Sequence, residues 1–277
     1  MKRYSTPFLC TGAVSRSNAE TRQAYRPTRN LRAAVRSVIP VVRWFWQRKG
    51  PQRDLKLRTR GEASDATRVD FAELAPDVDT FLGQAAYLQL GYFETLTRLL
   101  QRTPELAEKG SLSRAAGAAL TKHEELVRII QARGADPTAL MLPFREQLDA
   151  FRRTTLGERF PETLLSVHIT AGILDDFYIA LASSYGDTGR EVSDALQADH
   201  SRQAIVDIIN ATIASDEEWR SLLSLWGRRL VGDTLLVARS ALAAGSLDQA
   251  AQKRVEPVFT ELMGAHARRM DAMGLNA

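Results

Sequence analysis

One cysteine, Cys10, stands in a chain of 277 residues. No internal disulfide framework can form from it, and such sparse cysteine fits a reducing compartment. No apolar run reaches the roughly 18–20 residues that a transmembrane helix needs. The first 30 residues also lack the compact apolar block of a secretory signal, so the expected location is cytoplasmic. A phosphate-binding glycine loop, a Ser-x-x-Lys pair and a nucleophile elbow are all missing. Aromatic residues are scarce at 7%, yet hydrophobic residues reach 44%. That is enough for one large core or two small ones, and a single soluble domain is the default.

Acidic residues are almost absent from one end. Residues 1–60 hold 15 Lys and Arg against Glu20 and Asp54, a balance of +13, which leaves 22 basic and 31 acidic residues, or −9, for residues 61–277. Residues 1–60 therefore read as a basic, largely disordered extension, residues 61–75 as a linker and residues 76–277 as the folded body. Within the extension, "NLRAAVRSVIPVVRWFWQRKG" (30–50) mixes arginines with Trp44, Phe45 and Trp46. It suits either an amphipathic helix at an anionic membrane surface or an arm on RNA phosphate, and a surface helix docked on the body is the plainer alternative.

From residue 76 onward the apolar spacing is helical and no strand alternation persists. Four long helices are expected, opening at "PDVDTF", at Ser111, at Pro161 and at "DEEW", with Gly134 and Gly186 ending the second and third. A short turn, "PELAEKG", joins the first two. A connector of about 25 residues, partly helical, follows the second, two shorter helical pieces meet near His200, and a terminal helix closes the chain. This order is that of an all-α, ferritin-like four-helix bundle with a long crossover, extra short helices and a C-terminal helix.

Each long helix carries a polar residue where spacing predicts core: Glu94, His123, Asp176 (with Asp175 beside it as an alternative) and Asp233. Around His123, the positions three, four and seven residues away are apolar, which turns the imidazole inward and obliges it to find a partner. Mid-helix positions on facing stripes converge, and three carboxylates with one imidazole need a cation. A metal would serve, and so would Arg229, four residues before Asp233 on the same face. His168, His200 and His266 show no ligand spacing and read as surface or capping residues.

"YLQLGYFETLTRLL", "LTKHEELV", "AGILDDFY" and "WGRRLVGDTLLVARSAL" resemble the actinobacterial ferritin-like proteins grouped with the tRNA 2-methylthio-isopentenyladenosine hydroxylases, over roughly residues 70–244. The resemblance implies a ferritin-like bundle with a di-iron, oxygen-activating site that hydroxylates an isopentenyl group on a tRNA adenosine. It implies iron as cofactor, tRNA as partner and Glu94, His123, Asp176 and Asp233 as ligands. Two positions depart from the Glu-x-x-His pairs of such sites: Leu120 stands three residues before His123, and Leu236 three after Asp233. The alternative is a non-catalytic scaffold or interaction protein, with homodimerisation among its uses, whose buried polar cluster is a salt-bridge network.

Overall fold

The computed structural model describes residues 74–198, 202–242 and 249–277, without the side chains of 249–252. The expectations for the basic extension, Cys10, His200 and nearly all of the linker fall outside the described residues. Among the described residues the structure is helical, with no strand.

The described residues form nine α-helices in order: α1 Val78–Arg102, α2 Leu106–Ala132, α3 Pro137–Met141, α4 Arg145–Thr155, α5 Phe160–Ala182, α6 Gly186–Gln197, α7 Arg202–Ser215, α8 Glu217–Ser240 and α9 Gln249–Ala272. The four long helices expected are α1, α2, α5 and α8. α3 and α4 form the helical crossover between α2 and α5, and α6 and α7 are the two shorter pieces.

Local chemistry explains the boundaries. Asp77 accepts the backbone N–H of Thr80 at 2.9 Å and starts α1, and Asp216 does the same for Glu218 at the head of α8. Pro161 lies in the first turn of α5, where its missing N–H costs nothing. Gly134 and Gly186 hold positive φ at 78° and 55°, which a side chain would resist. One boundary differs from expectation: α2 begins at Leu106, not after Ser111. Gly110 reads as a turn residue in sequence, but here it sits inside the helix, and only Thr103–Glu105 separate α1 from α2.

α1 and α2 pack along most of their length, and α5 packs against α8, α6, α9, α1 and α7. Surrounded this way, α5 is apolar on nearly every side, with Leu164, Leu165, Ile169, Ile173, Leu174 and Phe177 fully buried. Each such side chain contributes about 1.5–3 kcal/mol on leaving water. The helical stretch beginning at Phe160 is long and apolar enough to cross a membrane by composition, but 78% of its most apolar window is buried inside the bundle. α5 is therefore the core helix of the bundle. Aromatic side chains gather at one end of it, where Tyr178 and Tyr185 flank Phe81 of α1, and at its contact with α9, where Phe177 meets Phe259.

Candidate functional site

A charge cluster lies in the interior between α1, α2, α5 and α7. Asp175 of α5 is only 1% exposed. Its Oδ1 accepts from Gln89 Nε2 of α1 at 2.8 Å. Its Oδ2 accepts from Lys122 Nζ of α2 at 2.8 Å and from the Arg202 guanidinium of α7 at 3.0 Å. Lys122 is itself 4% exposed. A carboxylate this deep needs both opposite charge and hydrogen bonds, and here it has both.

The helix register explains why these residues converge. The buried stripe of α2 runs Leu112, Ala115, Ala119, Lys122, Leu126 and Ile129. Small residues one and two turns before Lys122 leave room for its four-carbon stem, so the ammonium reaches Asp175. On α1 the stripe passes through Leu82, Ala85, Gln89, Tyr92 and Leu96, and Gln89 takes the inward position.

The cluster lines a small cavity with Tyr92, His168, Leu96, Val167 and Ile205 among its walls. A second small cavity lies between α1, α4 and α5, lined by Leu88, Leu148, Phe151, Val167 and Thr170. Tyr92 borders both. Its hydroxyl is buried, and burial pushes its pKa well up, with the nearby Thr170 hydroxyl opposing the effect and the Asp175 carboxylate adding to it.

The four residues expected as ligands lie elsewhere. Glu94 is 39% exposed and pairs with Arg152 of α4 at 2.9 Å and with Arg98 at 3.5 Å. Arg152 also donates to Asp149 at 2.6 Å, and Tyr87 donates to the same Asp149 oxygen at 2.9 Å. Glu94 thus belongs to a rim network over the second cavity. His123 is half-buried, not core, and its Nδ1 lies 2.9 Å from the carbonyl oxygen of Ala86. Asp176 is half-buried and pairs with Arg269 of α9, which also donates to the Gly172 carbonyl at 3.0 Å. Asp233 is half-buried on α8, and the position pointing fully inward is its neighbour Thr234. Arg229 turns away from Asp233 and sets its guanidinium over the Trp226 ring, 5.2 Å from the centroid.

Adjacent helical residues point about 100° apart, and on α2, α5 and α8 the inward residue is the immediate neighbour of the one expected. The histidines differ too: His168 and His266 are buried at 5% and 3% exposure, not surface or capping residues. Among the described residues neither nitrogen of His266 has a hydrogen-bond partner. Burial, reinforced by the Arg269 charge, lowers its pKa to about 4.

The donor set does not fit an iron centre. Among the described residues no three His, Cys, Asp or Glu side chains come together as a metal-binding group. At the interior point where one helix offers a carboxylate, the facing helix offers an ammonium, which repels a metal cation and already neutralises the acid.

A bundle of four long helices with one helical crossover between the second and third, enclosing polar side chains from facing helices, defines the ferritin-like class. The sequence profile of the ferritin-like domain of actinomycetes matches residues 73–248, more than half of the chain, and the chain belongs to that family. No curated protein matches the sequence.

Proposed function

We propose that this chain is a ferritin-like scaffold that works by presenting its outer surfaces, with a buried ion pair in place of an oxygen-activating metal centre. The observation that carries this reading is Lys122 Nζ on Asp175 Oδ2 at 2.8 Å, both sealed from water. A lysine ammonium supplies the positive charge that the buried carboxylate needs, so Asp175 has no unmet demand for a metal. The hydroxylase reading implied by the family resemblance asks instead for iron on Glu94, His123, Asp176 and Asp233. Three of these are engaged with a basic side chain or a backbone carbonyl on other elements, and among the described residues no three His, Cys, Asp or Glu side chains gather as a metal-binding group, which argues against a shared ion.

The test is metal analysis of the full-length protein after anaerobic reconstitution with ferrous iron and desalting. The expected result is well under one iron per chain, unchanged by His123→Ala. One or two iron ions per chain, lost in His123→Ala, would overturn the proposal and restore oxygen chemistry on a tRNA base as the leading reading.

A further inference from the structure

The matched family profile ends at residue 248, and α9 lies beyond it, packed on one side of α5 and α8. Two glycines make room for it. A Cβ on Gly172 of α5 would lie 2.9 Å from Arg269 Nε, and one on Gly227 of α8 would lie 2.9 Å from Met270 Sδ. Phe259 meets Phe177, and Arg269 pairs with Asp176 and donates to the Gly172 carbonyl at 3.0 Å. Past the helix, Arg220 of α8 donates to the Gly274 carbonyl at 2.8 Å, and Ser224 Oγ accepts the Asn276 N–H at 3.1 Å.

The inward stripe of α9 runs Val255, Phe259, Leu262, His266 and Met270, all buried. His266 is its one polar member. Among the described residues neither ring nitrogen has a partner, and neither has Arg269 Nη1, three residues on. A neutral imidazole is tolerable there, but an imidazolium would stand beside the Arg269 guanidinium, sealed from water and without an acceptor. No acid on the surrounding helices relieves it. Asp176 of α5 is taken by Arg269, and His168 of α5 is another imidazole. On α8, Arg220 and Arg228 hold C-terminal carbonyls, Arg239 lies over the Phe259 ring, and Asp233 stands about 120° round the helix from Gly227. The acids of α9 itself, Glu256, Glu261 and Asp271, are exposed.

We infer that α9 is an acid-released latch: it rests on α5 and α8 while His266 is neutral, and lifts as one unit from a still-folded bundle when the imidazole takes a proton. The bundle has a core of its own, since α1 packs on α2 and α5, α5 packs on α8, and the family profile covers them without α9. A lifted α9 binds the proton more readily than a docked one, so acid favours lifting. Lifting uncovers Leu165 and Phe177 of α5, which the docked helix covers with Met270 and Phe259.

The test is amide hydrogen exchange of the full-length protein at pH 7 and pH 5, with each rate divided by the intrinsic rate at that pH. With a docked value of about 4 for His266 against 6.5 when free, protection of residues 255–272 is expected to fall about twentyfold over that range. Protection of α1, α2 and α5 is expected to hold. His266→Leu should keep α9 protected equally at both pH values, and His266→Lys, which carries a charge at both, should open α9 at pH 7 with α5 still protected. Protection of α9 that does not change with pH, loss in step with α5, or an undiminished loss in His266→Leu would each overturn the inference.

Discussion

Lys122 Nζ lies 2.8 Å from Asp175 Oδ2, and the two side chains are 4% and 1% exposed. Helices α2 and α5 are thus joined through the middle of the bundle by a charged pair. Removing one partner strands the other, and such losses cost about 3–5 kcal/mol. Lys122→Met should therefore lower unfolding free energy by about that amount in urea titration, tempered by the Arg202 guanidinium that remains on Asp175. Lys122→Met combined with Asp175→Asn should cost clearly less than the two single changes added together. Additive losses would show that the pair is not a coupled unit.

His266 gives the stability a sign with pH. Its pKa is lowered from 6.5 to about 4 in the fold, first by burial and then by the Arg269 charge. A group with a depressed folded pKa binds its proton more readily in the unfolded chain. The stability it contributes is complete above pH 6.5 and falls as pH drops toward 4. Thermal unfolding between pH 7 and 4 should show this decline, and His266→Leu should flatten it. An unchanged slope in the variant would remove His266 as the cause.

Much of the fold is legible in the sequence because helix ends and apolar spacing are local. Asp77, Pro161, Gly134, Gly186 and Asp216 mark their boundaries by chemistry that acts within one turn. The interior polar cluster is not local. Lys122 and His123 are adjacent, and both have apolar neighbours at helical spacing. Sequence favours His123 as the buried one because lysine is rarely sealed from water unless paired, and the pair, Asp175, lies 53 residues away. Asp175 and Asp176 pose the same choice, settled by which helix supplies the cation: Lys122 from α2 on one side and Arg269 from α9 on the other.

Glycine positions test the close packing of the connectors. A Cβ at Gly189 on α6 would sit 1.8 Å from the carbonyl oxygen of Ala182, a backbone atom that cannot swing aside. Gly189→Ala should destabilise by about 1–3 kcal/mol or more through overpacking. Gly117, exposed in mid-α2 with open space above it, is the control: Gly117→Ala should stabilise by up to about 1 kcal/mol through helix propensity. Chemical denaturation of the two variants reads the contrast directly, and similar effects of the same sign would count against this packing.

The charge division of the chain makes a prediction about nucleic acid. The body, at −9, repels phosphate, whereas residues 1–60, at +13, attract it. Any binding of tRNA should therefore be electrostatic, fall steeply with salt, and depend on the extension. Filter binding of an unmodified tRNA mixture to the full chain should weaken roughly tenfold or more when residues 1–60 are deleted, and the residual binding should lose most of its salt dependence. Arg43, Arg48 and Lys49 stand beside Trp44 and Trp46, so replacing those two tryptophans by alanine separates stacking from charge. A loss of affinity with the salt slope intact would assign the rings to base stacking, worth about 1–3 kcal/mol per base. Equal binding with and without residues 1–60 would exclude the extension as an RNA arm and leave an anionic membrane surface or a helix docked on the body.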